Sequence, residues 1–283
     1  MIDETVREIE EMQTQSSSIV AVKAAKALRE LTERECHTVE DFYRVVERNS
    51  SALQRANRSH APLYTTQHRI VSEVKESGAE TVEEAKDHLL DAIEDVVEEV
   101  ESSKARAAER ASELISDGDV LLTHENSSTV MATYDNVVAD GKEVETFVTE
   151  SRPRFLGRKT ARQLAQRDGV ETTLITDGAA GHYLSEVDRV LIGMNCLIDD
   201  VVYNRIGTHS IVATAASHEV PVTVVGSSSK FIGSGFTFEN TFRPPSEVML
   251  EPAEGFEVAN PGYDATPTRL LESVVTENAV IEF

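Results

Sequence analysis

The sequence predicts an α/β protein: a helical N-terminal domain over residues 1–116, then a doubly wound, Rossmann-like parallel sheet domain over 117–283. Three observations predict it. Up to about residue 115, apolar residues recur every three or four positions, the period of a helix with one buried face. After Asp117-Gly118-Asp119 the period changes, and short β-branched runs alternate with helical stretches. Those runs are continuously apolar, as strands covered by helices on both faces must be.

Taken in order, Ile2, Val6, Ile9 and Met12 form one helical stripe, and Ile19, Val22, Ala25 and Leu28 a second. Ser16-Ser17-Ser18 between them suits a break with an N-cap. Thr38, with Asp41 three residues on, opens a helix to Val46. Residues 59–65 contain Pro62 and read as a connection, after which helical spacing resumes from Thr66 to Glu76. Thr81-Val82-Glu83-Glu84 has the form of a capping box. It starts a long helix whose apolar stripe runs through Leu89, Ile93, Val96 and Ala108 to Ile115. In the second domain, strands are expected at Val120–Thr123, Glu145–Thr149, Glu171–Thr176, Arg189–Ile192 and Val222–Val225. Helices are expected near 127–139, 157–168, 178–185 and 207–218.

Of the 283 residues, 40% are apolar, enough to give two domains real cores. No apolar run reaches membrane-spanning length. The N-terminus, MIDETVREIE, is acidic and amphipathic rather than signal-like, so a cytoplasmic location is expected. Cys36 and Cys196 stand far apart and the eight histidines form no ligand pair. Neither a disulfide framework nor a metal site is expected, and no cofactor is called for. The net charge is −23, with 8 lysines against 19 arginines and acidic residues spread over the whole chain. Such a coat is tolerable where salt shortens the screening length to ~3 Å at 1 M, so a salt-loving host is expected. The same charge argues against a basic nucleic-acid-binding face.

In an open parallel sheet, ligands bind beyond the carboxyl ends of the strands. The loops there are Thr123–Ser128, Glu150–Pro153, Asp177–Gly181 and Gly193–Cys196, followed by Asn204–Thr208. They bring Arg152, Arg205, the hydroxyls of Ser127 and Ser128, and the helix N-termini near 127, 178 and 207 to one edge. Free N–H groups at helix starts and guanidinium forks both favour phosphate. The competing reading pairs the two arginines with Glu150 or Asp177 as loop ties. Other signals carry less. Asn126-Ser127-Ser128 fits a glycosylation acceptor without the secretory context. Gly226-Ser227-Ser228-Ser229-Lys230 lacks P-loop spacing and reads as a flexible loop beside the site, and Gly233-Ser234-Gly235 is too short for a dinucleotide fingerprint. Cys196 reads as a small apolar filler, and His209 as a packing or capping residue.

Four segments in order carry a family resemblance: LLTHENSS from Leu121, the run from Thr149 to Gly193, YNRIGTHSIVATAASHEVPVTVVG from Tyr203, and ANPGYDATPTRLLESVVTENAVI from Ala259. They resemble the family shared by the alpha, beta and delta subunits of translation initiation factor 2B and by the isomerases of ribose 1,5-bisphosphate and methylthioribose 1-phosphate. The helical part, with IEEMQTQSSSIVAVKAAKAL and ANRSHAPLYT, resembles it more weakly. The family's isomerases use a Cys in a Thr-His-Cys loop and an Asp in a Gly-Ala-Asp-Ala loop, and here those positions are Glu125 and Asn195. Asn neither takes up nor releases a proton at neutral pH. Gln15-Ser16-Ser17 stand where the family has Arg-Gly-Ala, Arg205 stands for the Lys of Asn-Lys-Ile-Gly-Thr, and Arg58, Arg152 and Asn204 match. The resemblance therefore implies ligand-binding positions at Gln15, Ser16, Ser17, Arg58, Ser127, Arg152, Asn204 and Arg205.

The leading expectation is a non-catalytic, archaeal, initiation-factor-2B-like regulatory protein, keeping a sugar-phosphate or nucleoside monophosphate site between its domains. The resemblance further implies a homodimer or higher homo-oligomer, with translation initiation factor 2 as a candidate partner and no nucleic acid or membrane contact. The alternative is an aldose–ketose isomerase of a phosphorylated ribose with a rebuilt site. Glu125 would be its base, assisted by His124, with Asp199 or Asp200 in place of the missing carboxyl.

Overall fold

The computed structural model of the protein describes residues 2–11, 17–57, 60–232, 238–251 and 254–283. It divides into two compact units, Met1–Ser102 and Ser103–Phe283. The first is built from helices α1 (Ile2–Glu11), α2 (Ser17–Ala27), α3 (Val39–Ala56), α4 (Ala61–Glu76) and the greater part of α5 (Val82–Ser112). Their starts follow local chemistry. Thr38 Oγ1 accepts the Asp41 N–H at 3.1 Å. Thr81 and Glu84 cap each other, hydroxyl to N–H at 3.2 Å and carboxylate to N–H at 3.3 Å. Phe42, Leu53, Leu63, Ile70, Leu89 and Ile93 are fully buried in the core between these helices.

Two expectations for this unit are corrected. The helix opened by Thr38 runs past Val46 to Ala56. Residues 61–65 are the first turn of α4 rather than a connection. Pro62 lies in that turn, where a backbone N–H has no helical acceptor, so it begins the helix without breaking it.

The second unit starts with β1 (Val120–Thr123), α6 (Ser128–Ala139), β2 (Val144–Thr149), α7 (Leu156–Leu164) and β3 (Val170–Ile175). It continues with the short α8 (Ala180–Tyr183), β4 (Arg189–Gly193), the hairpin of β5 (Cys196–Ile198) and β6 (Val201–Arg205), α9 (Thr208–Ser217) and β7 (Val222–Val225). The strands β8 (Phe231–Ile232), β9 (Tyr263–Pro267), β10 (Ser273–Val275) and β11 (Val280–Glu282) complete it. Seven strands form one sheet in the order β11-β10-β7-β4-β1-β2-β3, parallel except for the antiparallel edge β10–β11. Neighbouring residues of one strand serve opposite faces. Leu121, Leu191 and Val225 pack into one core, and Leu122, Ile192 and Val224 into the other. This is the double cover that the continuous apolar runs require.

From β1 the chain builds outward through β2 and β3, then returns to place β4, β7 and β10 on the other side. The order reverses between β1 and β4, and a doubly wound sheet opens its ligand crevice at such a point. A second sheet, β8-β5-β6-β9, was not anticipated. Its strands are short and come from what read as loops after β4 and β7 and from the Asp-x-Thr-Pro segment. Asp199 and Asp200 form the turn of the β5–β6 hairpin, with Asp199 at a φ of 50°.

Gly207 precedes α9 with a φ of 103°, and a Cβ there would lie 2.8 Å from the His124 ring. Both the backbone conformation and the space therefore demand glycine. Gly207→Ala should destabilise the protein by about 3 kcal/mol or more, read as a lower midpoint in urea. A loss under about 0.5 kcal/mol, the level of an ordinary surface change, would mean that this loop is not held as described.

Candidate functional site

Glu125 follows β1 at the point where the strand order reverses. Its φ of 72° is left-handed, a conformation costing a non-glycine residue about 1–2 kcal/mol. Hydrogen bonds on both sides hold it there. Its N–H donates to Ser151 Oγ at 2.8 Å, and its carbonyl accepts from Thr160 Oγ1 at 2.6 Å. Ser151 is also left-handed, at 61°, and its N–H donates to Asp177 Oδ1 at 2.7 Å. Strain stored and over-determined in this way is a mark of functional loops.

His124 is buried beneath Glu125. Its Nε2 lies 2.9 Å from the Ile206 carbonyl, so Nε2 carries the proton and donates. That leaves Nδ1 to accept from the Thr149 hydroxyl at 2.6 Å. With both nitrogens engaged, the ring ties together the ends of β1, β2 and β6. It has no free position from which to exchange a proton with a ligand, so its expected assisting role is withdrawn.

The Glu125 carboxylate meets Arg205 Nε at 3.6 Å, with side chains only 13% and 15% exposed. The Arg205 guanidinium lies 4.7 Å over the Tyr263 ring, which orients its plane. Arg152 donates to the Val248 carbonyl at 3.1 Å and lies 4.9 Å over Phe155. The loop ties anticipated for it are made by other groups. Glu150 pairs with Arg158 at 2.7 Å, and Asp177 takes the backbone N–H groups of Ser151 and Arg152.

On the other side of the reversal, after β4, Asn195 is buried, and its N–H donates to the Tyr203 carbonyl at 2.9 Å. Lys230 is buried nearby, with Nζ donating to the Met194 carbonyl at 2.7 Å. Burial lowers its pKa to about 8, against the opposing pull of Glu125 and Cys196. Burial likewise pushes the Cys196 thiol up to about 12, so it stays protonated and fills space. The start of α9 is taken by Asp264, whose Oδ2 accepts from Gly207 N at 2.7 Å and His209 N at 3.0 Å.

Four arginines, Arg152, Arg154, Arg205 and Arg243, and two glutamates, Glu125 and Glu247, line one cleft. Four positive groups against two negative leave a local excess of cation in a chain of net charge −23. A dianionic phosphate with several acceptor oxygens matches such a cluster.

Of the residues singled out from sequence, Glu125, Arg152 and Arg205 line this cleft and Asn195, Asn204 and Ser127 do not. Ser127 caps α6, accepting from Val130 N at 3.4 Å, and packs against Gly193. Asn204 donates to Thr208 Oγ1 at 3.0 Å. Ser17 is the buried first residue of α2 in the other unit. Gln15, Ser16, Arg58, Gly233 and Gly235 lie outside the described residues. Asp199 and Asp200 are exposed at the hairpin turn and do not line the cleft, so they do not replace the carboxyl missing at Asn195. Sequence reasoning missed Arg154, Arg243 and Glu247. Arg154 could have been found, two residues from Arg152 on the same loop. Arg243 and Glu247 lie in a stretch without periodicity. The expected flexible loop at Gly226–Lys230 is instead ordered, with Ser228–Lys230 forming a 3-10 turn that buries the lysine.

The sequence profile of the Initiation factor 2 subunit family matches residues 13–282. Among curated relatives, the ribose 1,5-bisphosphate isomerase of Haloterrigena turkmenica is 30% identical, over 97% of this chain and 88% of its own. Among solved structures, the Pyrococcus horikoshii translation initiation factor eIF-2B has a TM-score of 0.84 at 24% identity, covering 99% of this chain and 96% of its own. The 5-methylthioribose 1-phosphate isomerase of the same organism has a TM-score of 0.80 at 22% identity, covering 100% of this chain and 84% of its own. A match over nearly the whole length, on a doubly wound sheet with its cleft where the strand order reverses, makes this chain a member of the initiation factor 2 subunit family.

Proposed function

We propose that the cleft binds a phosphorylated ribose and that the protein interconverts aldose and ketose forms of that sugar, with Glu125 as the base. The observation that supports this most is the Glu125 carboxylate paired with Arg205 at 3.6 Å, in a cleft that Arg152, Arg154 and Arg243 also line. The relatives over the full chain length add to it, because several are named ribose 1,5-bisphosphate isomerases. They favour the isomerase alternative over the non-catalytic reading.

Isomerisation moves a proton from C2 to C1 of the sugar and also needs an acid at an oxygen as the ring opens. A carboxylate is competent for the first role. Arg205 holds the Glu125 carboxylate in place, and Arg152 and Arg205 are the groups assigned to phosphate. The second role cannot fall to Asn195, which donates hydrogen bonds but no proton. Lys230 and Tyr263 both feel the charge of Glu125; burial raises the pKa of Tyr263 and lowers that of Lys230 to about 8, so Lys230 is the one suited to proton exchange near neutrality. A homodimer or higher assembly belongs to the same proposal.

A second reading keeps the ligand without turnover, as a regulatory, initiation-factor-like sensor. Asn195 at the position of the family carboxylate is the observation that favours it. Ribose 1,5-bisphosphate, methylthioribose 1-phosphate and nucleoside monophosphates, each added in high salt, separate the two readings. Ketose should form from a phosphorylated ribose and fall about 10²- to 10⁴-fold in Glu125→Gln. Ligand-induced stabilisation with no ketose would instead select the sensor.

Lys230→Met separates a working lysine from a structural one. The folded-state pKa lies below that of an unfolded lysine, so the fold disfavours the ammonium. At pH 7 the variant should therefore unfold at a higher temperature than the parent. Between about pH 8 and 10.5 the unfolded state binds the extra proton, so the parent gains stability with pH and the difference shrinks. If Lys230 exchanges protons, the stabler variant loses turnover. Full turnover in Lys230→Met would remove the lysine from the mechanism.

A further inference from the structure

Glu247 sits inside the cleft as an anion among arginines. Its Oε1 lies 3.6 Å from Arg154 Nε and 3.8 Å from Arg243 Nε, and its Oε2 accepts from Asn260 Nδ2 at 3.2 Å. Arg154 and Arg243 are only 17% and 8% exposed at their side chains. Burial and the neighbouring guanidinium of Arg205 both disfavour the charge on each, and Glu247 offsets this. A cluster of partly buried, mutually repelling cations is costly unless an anion completes it. Glu247 meets both guanidiniums at ion-pair distance rather than at the ~2.7–2.9 Å of charge-assisted hydrogen bonds.

The residue that brings this carboxylate is not part of the sheet framework. Glu247 ends the 3-10 turn Pro245–Glu247, and the next three residues, Val248, Met249 and Leu250, are exposed. Outside the named strands, the bridge Phe242–Pro261 joins the two ends of this segment. Glu247 belongs to no core cluster, and beside it Arg152 donates to the Val248 carbonyl at 3.1 Å.

We propose that Arg154, Arg243 and Asn260 form an anion subsite for a phosphate group, and that Glu247 is its internal occupant, displaced when the phosphate arrives. A phosphate monoester carries close to two charges at pH 7 and three strong acceptor oxygens, against one charge and two oxygens for the carboxylate. It therefore outcompetes Glu247 for the two guanidiniums. The segment carrying Glu247 is released as the ligand binds, which couples occupancy of the cleft to the exposed surface beside it. This inference rests on the reading of the cleft as a phosphate site, but not on any turnover there.

The test is calorimetric titration with inorganic phosphate at constant ionic strength, with ribose 5-phosphate and ribose as further arms. Glu247→Gln should bind phosphate roughly five- to tenfold more tightly than the parent, while its ligand-free form melts at a lower temperature. Arg243→Gln should lose most of the phosphate affinity, and Glu251→Gln, on the same segment but outside the cleft, should leave it unchanged. If Glu247→Gln does not fold, Glu247→Asp withdraws the carboxylate by one methylene and should give a smaller gain. Tightening with ribose 5-phosphate but not with free phosphate would assign the subsite to the ester. Equal or weaker affinity in the Glu247 variants overturns the proposal, as does the absence of phosphate binding in parent and variants alike. Because free phosphate needs no chemistry, failure to form ketose leaves this test standing on its own.

Discussion

The buried His124 ring holds the site together. Its contacts to the Thr149 and Ser151 hydroxyls and to the Ile206 carbonyl join the carboxyl ends of β1 and β2 to the loop that leads into α9. Those contacts fix the tautomer, and the tautomer fixes which partners the ring accepts. Glu125 and Arg205 lie on either side of this tie, so their separation is set by it rather than by their own flexible side chains. Gly207 must be glycine because the ring lies against it, and Asp264 then caps α9 from the neighbouring strand. Removing the ring would take the Ile206 carbonyl's partner at 2.9 Å and leave the buried Thr149 hydroxyl only its longer contact to the Thr123 carbonyl, and a buried polar group that loses its partner typically costs more than the bond itself contributes.

Electrostatics act on two length scales here. The uniform negative charge of the chain repels a phosphorylated ligand at a distance, and salt screens that repulsion over roughly 10 Å at 0.1 M. The arginines act at contact, within a cleft where water is partly excluded and screening is weaker. Raising the salt concentration therefore removes the opposing field faster than it weakens the binding groups. The excess of arginine over lysine fits this arrangement, since a planar fork keeps its orientation and its charge where an ammonium would be stripped or would wander. Lys230 shows the other behaviour, as burial has already moved it toward neutrality.

Much of the second unit was legible in sequence, because parallel strands buried on both faces leave continuous apolar runs. Val120–Thr123 and Val222–Val225 were read with the boundaries the structure gives them. The small sheet was not legible. Cys196–Ile198 is too short to show a period, and β9 contains Pro267, which argues against a strand by itself. Pairing across long sequence separations created those strands, and a local pattern does not record that. The same division holds at the site. Glu125 and Arg152 follow β1 and β2 within three residues and could be placed from the strand ends, and Arg205 could be placed from the Asn-Arg-Ile-Gly-Thr segment although β6, which it ends, could not. Glu247 reaches the cleft from a segment with neither helical nor strand spacing, and Ser127, though correctly placed after β1, spends its hydroxyl on the cap of α6.

Glu125 and Asn195, which stand at the positions of the family isomerases' catalytic pair, differ in how they are supported. A position abandoned by function is free to lose its surroundings, because strained backbone and buried polar groups reduce stability when nothing selects for them. Glu125 keeps a left-handed backbone, backbone ties to Ser151 and Thr160, and an oriented guanidinium against its carboxylate. Asn195 keeps a buried seat beside a lysine whose own burial is unfavourable. None of these features is needed to close a seven-stranded sheet. Glu125, Ser151 and Arg205 line the crevice that the topology reserves for ligands, whereas Asn195 and Lys230 are buried outside its lining, so the structural support is concentrated on the Glu125 side.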